Sequence, residues 1–496
     1  MKKTIIPFAV LLLTLTSCRQ WLDVRPETEV DRHLLFSSQE GFQEALLGVY
    51  TRCTDNALYG RELTVGTPEV LIQNYNISAN DPLRYMQTRN FQYDNGDFIR
   101  RKDGIWRGLY HAIANCNLIL EHIDEQERIF APGYYALIKG ETLALRAYLH
   151  FDALRLFAPA FAVSPNANAI PYVTSYSNMP TAMSSVSAVL DSAIRDLQAA
   201  KALLVDEPIR ASSYIAAYPL NANGTPGPEL TNHDLFLQNR RHRMNYYAVC
   251  GTLARAYLYK QDKLNAYENA MEVMLSNKFP FTASSDFLAV DEDKRDRILY
   301  TELVFAWYIP RKNHDLNTNW FRTGTAGMHL LQEAAQTIYE TSGAGSTDLR
   351  YRQWLSTVGV NNVYISEIHK YRRNPLSNEN NANRHYLMAP ALRLSELYYI
   401  AAECTYESNP ELATQYIDAV RRNRGIDQPL SVANAVEFEE ELVKEYRKEL
   451  FAEGQLFYTH KRLNRPFRNL QGVVIAPSNL IFVLPLPDDE IIYGER

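Results

Sequence analysis

Residues 141–157 read ETLALRAYLHFDALRLF. On a helix, Leu143, Ala147, Phe151 and Leu154 fall on one stripe, and Leu145, Leu149 and Leu156 on a second. A helix that is apolar on two sides is buried on two sides, so the spacing predicts a central helix here. A stretch rich in Pro, Asn and Ser, 159–180, leads to a second helix with Val186, Leu190, Ile194 and Leu197 inward and Ser184-Ser185 placed to cap it. Two further helix pairs are predicted, 244–260 with 263–275 and 393–407 with 410–422. In the second helix of each, Ala266, Ala270 and Val273, or Ala413, Ile417 and Val420, share a face. Helix, tight turn and helix is the tetratricopeptide unit, whose repeat is about 34 residues, but here long insertions separate the units.

Between the helices the periodicity lapses over 54–103, 209–239, 279–323 and 371–384. Loops longer than about 15 residues are usually functional or disordered. These carry Tyr75, Tyr85, Trp307, Trp320 and several Asn, which is not a disordered composition. Residues 302–308 and 473–483 read as short strands. The expected fold is mainly α: tetratricopeptide-like helix pairs forming a scaffold that presents long irregular ligand-binding loops, with a few short strands.

The head of the chain follows a different pattern. Lys2 and Lys3 precede an apolar run from Ile5 to Leu15. That run is too short for a bilayer span, which needs about 20 residues, and it fits the apolar region of a secretory signal, about 7–15 residues. Leu15-Thr16-Ser17-Cys18 looks like a bacterial lipobox, in which the cysteine thiol accepts the lipid and becomes the first mature residue. A plain signal peptide with a chance cysteine is the alternative. The lipobox reading gives a signal peptide over 1–17 and a lipid anchor on Cys18, with the rest of the chain soluble and tethered.

Composition narrows the function by exclusion. A formal charge of −6 and a pI near 6.0 argue against a nucleic-acid binder, which usually shows a basic domain. Cys53, Cys116, Cys250 and Cys404 show no metal spacing, and the last three sit in helical patterns as small apolar packing. The 11 histidines are scattered, with His242, His369 and His385 lacking partners at ligand spacing, so no metal and no cofactor is expected. No HExxH, GxSxG, P-loop or dinucleotide fingerprint occurs. Tyrosine is abundant, 32 against 5 Trp, and serves packed helices and exposed binding surfaces equally well.

One charge pattern calls for an account. Glu437, Glu441, Glu445, Glu449 and Glu453 recur every four residues and would form one acidic stripe on a helix. Like charges at that spacing repel, so cations must compensate. Lys444, Arg447 and Lys448 flank the stripe, and Arg421, Arg422 and Arg424 could dock on it. A catalytic carboxylate pair is the sharper reading, but such a pair normally straddles a cleft, and these acids share one helix. A structural ion network is the expectation.

Several segments then resemble a known family. CRQWLDVRPETEV (18–30) is similar to the start of mature SusD/RagB lipoproteins. WRGLYHAIANCNLILEHI (106–123), ALRAYLHFDALRLF (144–157), RLSELYYIAAE (393–403), VRRNRGI (420–426), YRKELFAEGQLFYTHKRL (446–463) and LPLPDDEI (484–491) resemble later family segments, in the family's order. One departure is that the Asp-Leu often found after Glu-Gly and its aromatics is absent from Gln455–His460. The resemblance implies a single SusD-like domain over 18–496, with parts 18–204 and 205–496. It also implies a surface-exposed outer-membrane lipoprotein of a Gram-negative cell that works with a SusC-like TonB-dependent transporter and binds a nutrient, most often an oligosaccharide, without catalysis.

Sugars present apolar faces and many hydroxyls, so a site needs aromatic platforms and polar side chains. The loops 56–103 and after Tyr308 hold both. The expected ligand-binding residues are Tyr75 and Trp320 as platforms, with Asn74, Asn319 and Arg89 as hydrogen-bond donors; Trp106, in a helix, is read as core. The alternatives are a binder of peptides or another nutrient on the same fold, a tethered glycoside hydrolase using the carboxylates of the last long helix, or a scaffold with no small ligand.

Overall fold

The computed structural model describes residues 32–220, 224–291, 294–309, 316, 320–372 and 385–494. Cys18 and Asn319 lie outside them. The framework is a succession of helices, each packed on the next: α1 (Gln39–Cys53), α2 (Gly96–Ile123), α3 (Tyr134–Phe157), α4 (Val186–Leu203), α5 (Tyr246–Tyr259) and α6 (Lys263–Met274). The same run of contacts continues from α6 to α7 (Leu394–Thr405) and α8 (Pro410–Asn423). Insertions between repeats thus leave the stacking intact, because each unit buries its apolar face against its neighbours.

Local sequence explains the elements. From Leu137 to Phe157, α3 is buried at nearly every position, as its two stripes require. Val186, Leu190, Ile194 and Leu197 of α4 face inward, and Ser185 Oγ accepts from the Ala188 amide at 3.2 Å. Asp262 caps α6, and Asn409 followed by Pro410 starts α8. Ala266, Ala270, Val273, Ala413, Ile417 and Val420 are all buried.

Three expectations are corrected. The irregular stretch 54–103 ends at Asn95, which caps the 28-residue α2, and it also holds short helices at Thr67–Leu71 and Met86–Arg89. Arg393 ends a strand rather than starting a helix. Strand β3 (Leu303–Tyr308), expected from the sequence, pairs antiparallel with β7 (Met388–Arg393), which Pro390 conceals because proline reads as a strand breaker. Strands β1 (Asn168–Pro171) and β2 (Met183–Ser185) form a small ribbon, and β4 (His329–Leu331), β5 (Leu355–Val360) and β6 (Val363–Ile368) form a three-stranded sheet. The expected strand 473–483 is mostly absent. After α9 (Ala435–Glu449) and α10 (Leu456–Leu463), only β8 (Phe467–Arg468) and β9 (Val474–Ile475) pair, and Ser478 caps a short helix, Asn479–Phe482.

One apolar core runs from Phe36 to Leu484. Among the described residues no helix is long and apolar enough to cross a membrane.

Candidate functional site

The acidic stripe is a buried ion network from Glu445 to Glu453, with Glu453 just past the end of α9, whereas Glu437 and Glu441 are partly exposed. Glu449, fully buried, accepts from Arg393 Nη1 at 2.5 Å, Arg424 Nη2 at 2.7 Å, and Arg350 Nη1 and Arg424 Nε at 3.0 Å. Glu453 takes Lys370 at 2.5 Å and Arg393 at 2.9 Å, and Glu445 takes Lys448 at 2.9 Å. Burial alone would push the Glu449 carboxyl up, but Arg424, Arg393 and Arg350 outweigh it and hold it well below the usual range. Glu445, against Lys448 and Arg350, is held at about 2 despite its burial. A general acid needs a raised pKa near its working pH, so these carboxylates are placed as fixed anions. Arg424 docks on the stripe as expected, and Arg421 comes within 3.8 Å of Glu445. Arg350, Arg393 and Lys370 reach the network from distant segments. Arg447 does not join the network.

The expected sugar platforms are corrected. Tyr75 and Trp320 are each 1% exposed. Tyr75 packs edge-on against Trp320, Phe321 and Phe451 with centroids 5.8–6.3 Å apart, and Tyr85 meets Trp320 at 4.9 Å and 90°. Edge-to-face packing uses up the ring faces within the core, so neither ring is presented to a ligand. Asn74 is fully buried; its Nδ2 donates to Glu69 at 2.8 Å, and its Oδ1 accepts from Arg447 Nε at 3.1 Å. Arg89 is half-buried and donates to Gln471 Oε1 at 2.9 Å. Tyr75 and Trp320 therefore meet as a core knot, and Asn74 and Arg89 lie near a different feature, the β8–β9 hairpin.

A second aromatic cluster does reach the surface. Tyr308 closes β3 and is 39% exposed, whereas the five residues before it are buried. The His242 ring stacks on it at 5.2 Å and 12°, and Tyr386, just before β7, stands edge-on to both at 5.5 Å. Behind them Tyr300 faces His242, with Oη 3.4 Å from Nε2, and stacks between Tyr218 and His385. The turn bearing His242 is pinned on either side: Arg241 is paired with Glu229 and Arg243 with Glu141 at 2.8 Å. Burial lowers the His242 imidazole to about 3, so it stacks as a neutral ring. This arrangement offers one partly exposed aromatic ring, Tyr308, backed by fixed polar rings at the end of a ribbon. The sequence marks the loop after Tyr308, but His242 has no partners at metal spacing. Its signal was the RRHR run, whose arginines fix the turn.

Among the described residues no group of His, Cys, Asp and Glu could hold a metal ion, and Cys53, Cys116, Cys250 and Cys404 are free.

Comparison with known proteins adds the following. Residues 20–222 match a SusD-like family described as "Starch-binding associating with outer membrane", and residues 243–481 match the SusD family. A SusD-like protein, P2, of Formosa agariphila is 22% identical over an alignment covering 99% of this chain and 98% of that protein. A SusD superfamily protein of Bacteroides vulgatus superposes with a TM-score of 0.70 at 18% identity, covering 92% of this chain and 97% of the other. A putative sugar binding protein of the same organism gives 0.70 at 20% identity with the same coverage. At these identities the superpositions show the fold.

Proposed function

The chain belongs to the SusD/RagB family, and from that premise we propose that it is a non-catalytic saccharide-binding protein of the outer membrane. The observation that carries the reading is the pair of family matches, 20–222 and 243–481, the first described as starch-binding and outer-membrane associated. Within the chain, Tyr308, Tyr386 and His242 are the proposed platform. The exposed Tyr308 ring suits the apolar face of a pyranose, and the loop after Tyr308, which includes Asn319, would supply hydrogen bonds. A lipid on Cys18 would tether the chain to the outside of the cell. The stacked helix pairs would pack on a SusC-like TonB-dependent transporter, so that bound glycan passes inward.

The test is titration calorimetry with a panel of linear and branched oligosaccharides. At least one is expected to bind, and Tyr308→Ala is expected to weaken it by at least ~1 kcal/mol, about fivefold. Heat from peptides but from no oligosaccharide would turn the reading to the peptide-binding alternative. Release of reducing ends from a bound glycan by the pure protein would refute the non-catalytic assignment.

A further inference from the structure

Arg447 stands apart from the other cations that flank the acidic stripe. Lys448 pairs with Glu445, and Lys444 with Glu441. Arg447 instead turns away, giving Nε to Asn74 Oδ1 at 3.1 Å and Nη1 to the Arg468 carbonyl at 3.4 Å, while its buried Nη2 meets no acceptor. A guanidinium carries five N–H donors, and a buried donor left unmade is costly. The carboxylate coupled to it is Glu69, reached through Asn74. Burial pushes Glu69 up to about 7, so at neutral pH that acid is only partly ionised and does not cancel the charge. Burial accordingly lowers Arg447 to about 10.

Two more guanidiniums reach the same β8–β9 hairpin. Arg468, exposed on β8, donates to the Gly472 carbonyl at 3.3 Å. Arg89 donates to Gln471 at 2.9 Å and keeps a buried Nε without an acceptor. Among the described residues, none of Arg89, Arg447 and Arg468 has a carboxylate within ion-pair distance. Arg447 and Arg468 line a cleft of 390 Å³ between α9, α10 and the hairpin, within the ~300–1,000 Å³ of small-molecule sites. Lys444 and Arg465 also line it but are already paired, Lys444 with Glu441 and Arg465 with Glu439 at 2.7 Å, which leaves Arg447 and Arg468 as its unpaired cations, and Phe467 and Val474 supply an apolar side.

We propose that this cleft is an oxyanion subsite that takes the sulfate or carboxylate group of an acidic saccharide, with Arg447 and Arg468 as its donors. Guanidinium matches a planar or tetrahedral oxyanion with paired hydrogen bonds, and the apolar side receives the sugar ring. The choice of a saccharide rests on the function proposed above; the need for an anion rests on the unpaired guanidiniums alone.

The test uses the full folded chain in titration calorimetry at low salt, with glucose 6-sulfate, glucuronate, glucose and sodium sulfate as separate probes. The two acidic sugars are expected to bind and glucose not to. Arg468→Ala and Arg447→Lys are each expected to weaken the acidic sugars about tenfold, the loss of a charge-assisted hydrogen bond. Arg468 is exposed, so its variant keeps the test valid if Arg447→Lys fails to fold. Absence of binding by both acidic sugars overturns the proposal, as does unchanged binding in Arg468→Ala. Glucose binding as well as its 6-sulfate overturns the oxyanion. Sodium sulfate binding as tightly as glucose 6-sulfate overturns the saccharide occupant. A neutral-glycan panel that fails at Tyr308 while the acidic sugars bind here would refute the general site and leave this one standing.

Discussion

Replacing Glu449 with Gln tests whether the acidic stripe is structure or chemistry. The substitution keeps the shape and removes one fully buried charge. Arg350, Arg393 and Arg424 each lose a carboxylate contact, at 3.0, 2.5 and 2.7 Å. The new amide would also aim donors at donors. Breaking a buried ion pair costs ~3–5 kcal/mol. Each arginine keeps another carboxylate: Arg350 has Asp348 and Glu445, Arg393 has Glu453, and Arg424 has Glu302. The expected loss is therefore at the lower end, ~3 kcal/mol, which is more than a hundredfold in the folded-to-unfolded ratio. That is a large share of the ~5–15 kcal/mol that holds a typical native state.

The control is Glu441→Gln, eight residues earlier on the same helix. Glu441 is partly exposed and pairs with Lys444 at 2.6 Å, so its loss is expected to stay under ~1 kcal/mol. Urea unfolding followed by fluorescence should show a lower midpoint for Glu449→Gln with an unchanged slope. If the two variants unfold within ~0.5 kcal/mol of each other, the network is not what holds α9 to the core. A Glu449→Gln variant of normal stability that had lost turnover of a bound glycan would instead revive the hydrolase reading.

Further outcomes are expected. Tyr75→Ala should destabilise the fold by ~3–5 kcal/mol, because its ring lies among Trp320, Phe321 and Phe451; a variant that melts like the parent yet loses glycan affinity would return Tyr75 to the binding surface. His150, His242 and His460 are lowered to about 3 by burial, below the ~6.5 of an unfolded histidine. Between those values the unfolded chain binds more protons, so stability is full above about pH 6.5 and falls as pH drops toward 3. Glu445, at about 2 against ~4.3 unfolded, adds a further loss as pH falls from about 4.3 toward 2. Unfolding midpoints that stay flat from pH 7 to 5 would contradict the histidine assignment. Cys18→Ala should shift the protein from the membrane to the soluble fraction, and mass spectrometry of the mature N-terminus should find acyl chains on Cys18; an unmodified Cys18, or cleavage elsewhere, refutes the anchor.

How far the fold could be read from the chain depended on how local its causes were. The stripes of α3 and α4, and the small-residue faces of α6 and α8, follow from a 3.6-residue period that each segment carries by itself. The burial of Tyr75 and Trp320 is not legible locally, because Trp320, Phe321 and Phe451 close on Tyr75, and Tyr85 on Trp320, from separate stretches. An aromatic ring in a loop looks the same whether the fold later covers it or leaves it at the edge, as it does Tyr308. The acidic stripe shows the same limit. Its period put Glu445 and Glu449 on one face, but Arg350, Arg393 and Lys370, which neutralise it with Arg424, are supplied by β7 and the segments around β5 and β6. Arg447 sits on that helix, and the spacing gave no reason to separate it from Lys444 and Lys448. Only the approach of Asn74 and of the Arg468 carbonyl on β8, both far away in sequence, leaves it with an amide and a carbonyl instead of an acid. A site made by a missing partner cannot be seen in a pattern of residues that are present, and so the unpaired charge of Arg447 emerges from tertiary structure alone.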